Sequence, residues 1–277
     1  PIGSSYFGGL KQDFASAIVY GFDEFVITYF TKSDEVPYPT GDGFPIIPPE
    51  PNAQVTRNGL SDAFLASFVW DNNNYILGGS CYLGGEVSEG GLDIDYSHPQ
   101  TSYYVAGFTN SNTFPVYHDN KDGLNQGSGN IDFTDAFIAR YGAGLIKFWS
   151  SYYGSDGNEY GIGLAAMNKS SDVVLYGESE FNSNSIPLRG RQDPNYNGSP
   201  WDENYNGGTS DVFLAKFGEK PMLPTYHGGN DDDVIEDIIT DDRNYIYVTG
   251  YSRSDNMPTS TGVLQEIHGG NADIFLS

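Results

Sequence analysis

Three short anchors recur four times each, in constant order, along the 277-residue chain, and no other feature restricts its fold so tightly. The first is an aromatic followed by small residues: Tyr6-Phe7-Gly8-Gly9, Tyr82-Leu83-Gly84-Gly85, Tyr152-Tyr153-Gly154-Ser155 and Tyr226-His227-Gly228-Gly229. The second is a β-rich run that passes a glycine and reaches a proline: Tyr103–Thr109 with Pro115, Asp172–Gly177 with Pro187, and Tyr245–Ser252 with Pro258. Its first copy, Glu24–Thr31 with Pro37, carries Tyr29 where the others carry glycine. The third is an aspartate opening an apolar run: Asp62-Ala63-Phe64-Leu65, Asp135-Ala136-Phe137-Ile138, Asp211-Val212-Phe213-Leu214 and Asp273-Ile274-Phe275-Leu276. The period is about 70–76 residues, so 1–277 reads as one repeat domain with units near 1–60, 61–134, 135–210 and 211–277.

Each unit has room for about four short strands. In the last unit they are Asp211–Phe217, Leu223–His227, Val234–Thr240 and Tyr245–Ser252, with Asp241–Asn244 as a turn rich in backbone-bonding side chains. Strands with a wet face alternate polar and apolar residues; these runs are apolar on both faces. Short four-stranded sheets buried on both faces predict an all-β fold, a β-propeller with about four four-stranded blades. Composition agrees. The 35 glycines and 15 prolines oppose helices, and 3 Trp, 21 Tyr and 17 Phe are too much apolar surface for a disordered chain.

Charge removes two partner classes. With 13 basic against 37 acidic residues the formal charge is −24, which disfavours nucleic acid and anionic lipid surfaces alike. No apolar run reaches 18 residues, so no helix-type membrane insertion is expected. Cys81 is the one cysteine, which rules out an intramolecular disulfide without fixing the compartment. The chain starts at Pro1 without a signal pattern, which reads as a processed chain or the ordered part of a longer one.

In these anchors the sequence resembles the SBBP repeat family, named for seven-bladed β-propellers. The last unit matches best, at Tyr226–Gly229, Asn244–Gly250, Met257-Pro258-Thr259, Gln265 and Gly269–Asp273, while the loops at 37–60 and 187–209 exceed the family norm. The resemblance implies a propeller of large secreted or cell-surface bacterial proteins, extracellular, with no shared enzymatic activity. Its partners would be a protein or glycan at the cell surface, with a homo-oligomer or larger assembly open. Seven blades are implied where four are visible. The aspartate run at 273 would complete a first blade that opens on Tyr6–Gly9, giving a closed four-bladed ring; the alternative is part of a larger propeller.

Candidate sites follow from chemistry. Asp62, Asp135, Asp211 and Asp273 read as turn caps between blades, with a Ca²⁺-attracting ring as the alternative. Asp231, Asp232 and Asp233, near Glu236 and Asp237, form the densest acidic cluster and are candidate Ca²⁺ ligands, although EF-hand spacing is absent; Asp119–Gly123 is a weaker counterpart. The loop Arg189–Gly208 joins Tyr196, Trp201 and Tyr205 to Arg189 and Arg191, a combination suited to sugar or protein recognition. Gly161–Ala166 has dinucleotide-type glycine spacing inside a strand with no helix after it, and His98, His118, His227 and His268 share no metal-ligand spacing. A non-enzymatic binding or structural module for adhesion, filament assembly or partner docking is the leading expectation. A carbohydrate-active propeller or a Ca²⁺-dependent glycan-binding lectin is the alternative.

Overall fold

The computed structural model describes residues 6–37, 44–117, 133–155, 157–180, 186, 204–218 and 224–277. It is all-β, with one 3-10 turn at Ala143–Leu145 as the only helical segment among the described residues. The first sheet begins with the hairpin β1 (Asp13–Gly21) and β2 (Glu24–Thr31). After a small parallel pair, β3 (Glu35–Pro37) with β4 (Phe44–Ile46), the hairpin β5 (Asp62–Asp71) and β6 (Asn74–Leu83) completes it in the order β1-β2-β5-β6.

The plan then repeats. β7 (Glu89–Ser97), β8 (Ser102–Thr109), β9 (Asp135–Tyr141) and β10 (Lys147–Tyr153) form the second sheet. β11 (Glu159–Ala166), β12 (Val173–Glu180), β13 (Ser210–Phe217) and β14 (Pro224–His227) form the third. β15 (Asp233–Thr240), β16 (Ile246–Ser252) and β17 (Asp273–Leu276) form a three-stranded fourth. All pairings inside these four sheets are antiparallel.

The grouping of strands differs in phase from the sequence units. Asp211–Phe217 pairs with β12 and its following strand pairs with it in turn, not with β15 and β16. The cause is local. The Gly-Gly step after each tyrosine leaves the sheet, and its amide turns back to the acid opening the next one: Gly85 N–H donates to Glu89 (2.8 Å) and Gly229 N–H to Asp233 (2.7 Å). The long proline-bearing loop instead returns its aspartate strand to the β-hairpin it left.

Every first strand carries a bulge at the same place, between Ala15/Ala17, Gly91/Asp93, Gly161/Gly163 and Ile235/Asp237. Bulges of this kind bend and twist a strand. In the last three sheets the bulge leaves no room for a side chain on the glycine of the second anchor. A Cβ on Gly107, Gly177 or Gly250 would overlap the carbonyl oxygen of Gly90, Tyr160 or Val234 across the bulge. In the first sheet Tyr29 stands there, its ring tilted against Phe64 at 4.9 Å.

Successive sheets stack face to face. β7 lies on β1, β2 and β5; β11 lies on β7, β8 and β9; β15 lies on β11, β12 and β13. One core fills the first gap, with Val26, Leu65 and Leu83 meeting Ile94, Val105 and Phe137. A second has Ala106 and Ile138 meeting Leu164, Leu175 and Phe213, and a third sets Val174 and Val212 against Ile235 and Val248. The expected two-faced burial holds for the middle sheets and fails at the outer ones. β1 exposes Phe14, Ile18 and Tyr20, and the fourth sheet exposes Ile239, Tyr247, Ile274 and Leu276. Among the described residues no strand of the fourth sheet pairs with the first, and residues 6–9, expected as a strand, form none.

Candidate functional site

The strongest polar constellation is a carboxylate pair at each gap between sheets. Asp62 with Glu89, Asp135 with Glu159, and Asp211 with Asp233 flank Gly84, Gly154 and Gly228 so closely that one Cβ on the glycine would strike both members. All six acids are buried. The first glycine of the anchor is therefore required by the space between two acids, and the second by its amide.

Asp62, Glu89, Glu159 and Asp233 each accept hydrogen bonds from their own fold, while one oxygen of Asp135, of Asp211 and of Asp233 is buried without a hydrogen-bond partner. Asp62 accepts N–H bonds from Asn58 (3.0 Å), Gly59 (3.1 Å) and the Gln54 amide (2.7 Å). Glu89 accepts from Gly85 N–H and from the Thr109 hydroxyl (2.7 Å). Glu159 repeats this with Ser155 N–H (2.7 Å) and the Ser179 hydroxyl (3.2 Å), and Asp233 with Gly229 N–H and the Ser254 hydroxyl (2.8 Å). Asp13 takes Gly9 N–H (2.8 Å) and the hydroxyls of Thr31 and Ser33. Burial pushes the Asp62 and Glu89 carboxyls up, and Asp62 adds to the rise at Glu89.

Asp273 is placed like the other strand-opening aspartates, taking Gly269 N–H and the Gln265 amide (3.3 Å). Asp211 accepts from Asn206 N–H. Asp231, Asp232 and Asp233 do not converge. Asp231 bonds Asp232 N–H (2.8 Å), Asp233 points into the buried gap, and Asp232 meets Thr209 (N–H, 2.6 Å) and Arg253 (3.0 Å). Thr209 N–H, its hydroxyl and Arg253 hold the Asp232 carboxyl below the usual carboxylate range. Among the described residues no group of three or more metal-ligating side chains comes together. Tyr205 packs edge-on against Tyr226 at 6.2 Å, at the margin of the second core. Arg189, Arg191, Tyr196, Trp201 and Asp119–Gly123 lie outside the described residues. His227 is buried against Phe275, and burial lowers its pKa, with Asp233 opposing.

Sequence reasoning missed the open faces. On the first sheet an aromatic row crosses all four strands: Tyr20 meets Phe25 (5.0 Å), Phe25 meets Tyr75 (5.5 Å), and Tyr75 meets Trp70 (4.6 Å). Trp70 and Tyr75 close the long β5–β6 hairpin through Asn72 and Asn73, both left-handed at φ 43° and 70°, which suits a two-residue turn. Phe22 also sits at a left-handed φ of 52°, unusual for a bulky residue, with its ring against Tyr96 and Tyr103 of the second sheet. The signal for these faces lay in the sequence as aromatic alternation, but alternation does not say which sheet has a neighbour.

No protein-family model matches the chain, and no curated protein is similar to it.

Proposed function

We propose that the protein is a non-enzymatic docking module of propeller type, exported to the bacterial surface or exterior, acting in adhesion, filament assembly or partner docking. The observation that carries this reading is the pair of apolar sheet faces at opposite ends of the stack. The carboxylate pairs that acid–base hydrolysis would need are buried, and Asp62, Glu89, Glu159, Asp211 and Asp233 are tied to backbone amides, which keeps them from a polymeric substrate. Export and a bacterial source follow from the SBBP resemblance and the acidic surface. The open faces favour part of a larger radial array over a four-bladed ring closed on itself. Incubation with a polysaccharide panel is expected to release no reducing ends or unsaturated products; turnover sensitive to these carboxylates overturns the reading.

A second reading, glycan binding without turnover, rests on Trp70 and Tyr75. Both rings are about half exposed at a hairpin tip beside Asp71 and Asn72, and aromatic faces next to amide and carboxylate groups suit sugar rings. Glycan titration followed by tryptophan fluorescence, with Trp70→Ala as control and a chelator arm for Ca²⁺, checks it. A flat titration removes it.

A further inference from the structure

We propose that the gap between the third and fourth sheets is a cation site, holding Ca²⁺ between the buried carboxylates of Asp211 and Asp233. The proposal is independent of the docking reading. What sets this gap apart from the others is one oxygen atom.

The first gap shows what a settled acid pair contains. Asp62 takes the Gln54 amide (2.7 Å) beside two backbone N–H groups, and the Gln54 carbonyl oxygen takes Gly84 N–H (3.0 Å). Glu89 uses both of its oxygens, Oε2 on Gly85 N–H and Oε1 on the hydroxyl of Thr109, its cross-strand partner. Glu159 does the same, with Oε2 on Ser155 N–H and Oε1 on the hydroxyl of Ser179, again across the strand pair. A glutamate at this position spans the distance from the anchor amide to the cross-strand hydroxyl.

Asp233 holds that position in the third gap and is one methylene shorter. Gly229 N–H (2.7 Å) and the Ser254 hydroxyl (2.8 Å) both fall on its Oδ2. Its cross-strand partner Ser252 stands where Thr109 and Ser179 stand, but that hydroxyl takes Ser254 N–H (3.1 Å) and does not reach the acid. Oδ1 of Asp233 is therefore buried without a hydrogen-bond partner, on a residue with no exposure. Among the described residues no lysine or arginine pairs with it. The His227 ring feels the Asp233 charge, but burial outweighs that and lowers the ring's pKa.

Asp211 brings a second buried carboxylate to the same place. A Cβ on Gly228 would lie 2.7 Å from Oδ1 of Asp211 and 2.8 Å from Oδ2 of Asp233, so both acids border one point. Two buried carboxylates this close are costly unless positive charge joins them. The sequence also withholds the neutral donor found elsewhere. Eight residues before Asp62 and Asp273 stand Gln54 and Gln265, whose amides donate to those aspartates. Eight residues before Asp211 stands Glu203, preceded by Asp202, both outside the described residues and neither an amide. A proton would satisfy one lone pair, whereas a divalent cation neutralises both acids at once. Carboxylates and a serine hydroxyl are hard oxygen ligands. Ca²⁺ takes about six to eight such oxygens in flexible geometry, completed by water or backbone carbonyls, while Mg²⁺ demands a near-ideal octahedron.

Calorimetric titration of the chelator-treated chain with CaCl₂, beside thermal unfolding with and without Ca²⁺, tests the site. Wild type is expected to bind one ion with a Kd of about 10⁻⁵–10⁻³ M and to unfold at a higher temperature in its presence. Asp233→Asn should weaken binding by at least about tenfold, with circular dichroism confirming its fold. Asp233→Glu installs the acid of the first two gaps, whose second oxygen reaches the cross-strand hydroxyl, and should lose the thermal shift. Asp232→Asn, at the part-exposed acid that meets Arg253, should bind as wild type does. Wild type that gives neither heat nor thermal shift overturns the proposal, as does wild-type affinity in Asp233→Asn. If that variant does not fold, Asp233→Glu decides, and wild-type affinity there overturns the proposal. Loss of binding in Asp232→Asn assigns the ion to the exposed acids and overturns it as well. The docking reading stands or falls separately, on the polysaccharide incubation.

Discussion

Gly107→Ala isolates the device on which the repeat depends. The added methyl would overlap the Gly90 carbonyl oxygen and lie 2.8 Å from Cε1 of Phe137, a core ring with no exposure. Neither neighbour can yield cheaply. The carbonyl belongs to the bulged ladder between β7 and β8, and the ring is fixed among Leu65, Phe114 and Tyr152. Relief requires the strands to part, which weakens one or two ladder hydrogen bonds and leaves buried groups short of partners, at about 1–3 kcal/mol each. Together with displacement of the ring, a loss of roughly 3–5 kcal/mol is expected, a large share of a typical 5–15 kcal/mol stability. Gly79→Ala is the control, because its Cβ would meet nothing nearer than 3.5 Å. That change is expected to be neutral or to stabilise by about 0.4–1 kcal/mol through the unfolded chain. Urea unfolding at matched m-values measures both. Gly107→Ala within about 1 kcal/mol of wild type refutes the account of why glycine recurs in the second anchor.

Asp62→Ala is expected to cost about 1–3 kcal/mol by orphaning the Asn58, Gly59 and Gln54 donors, and Asp62→Asn, which keeps one acceptor oxygen, less than half of that; equal losses in thermal unfolding contradict the capping role. Acidification should also be stabilising through the raised carboxyls, whose contribution is full below their unfolded pKa values. Asp62, Glu89, Asp93, Asp95 and Glu178 are raised chiefly by burial, so the folded state holds protons more tightly than the unfolded one, and their contribution fades as pH climbs through the folded pKa values. His227, lowered by burial, opposes this below its unfolded pKa. Glu89→Gln should flatten the profile, and a wild-type maximum at pH 8 refutes it. The Cys81 thiol, buried and pushed up to about 12, should resist a thiol-specific disulfide reagent until the protein unfolds; immediate labelling of native protein contradicts its placement.

What could be read from residues alone divides along physical lines. Strand identity was legible because the apolar runs are short, β-branched or aromatic, and bounded by Gly, Asn and Asp; β13, β15 and β16 fall within a residue of where the pattern places them, and β12 runs three residues further. The grouping of strands was not. Nothing local distinguishes the turn after Tyr226, which changes sheets, from the turn at Asp241–Asn244, which stays within one. The difference lies in the Gly229–Asp233 hydrogen bond, which needs the acid buried under a following sheet. The acids opening each first strand, Asp13, Glu89, Glu159 and Asp233, went unrecognised as a set because Asp and Glu alternate there, while the aspartate at 62, 135, 211 and 273 never varies. The apolar end faces escaped for a further reason. Ile18 and Ile94 carry the same side chain at the same repeat position, and only the presence of a neighbouring sheet separates their burial.

Hydroxyl-radical footprinting tests the central claim, a stack of four sheets whose gaps are buried and whose outer faces are open. At low micromolar concentration Ile18, Tyr20, Ile274 and Leu276 should label heavily while Phe137, Phe213 and Tyr141 stay protected. Protection of Ile18 and Ile274, or labelling of Phe137 and Phe213 to match them, contradicts the account.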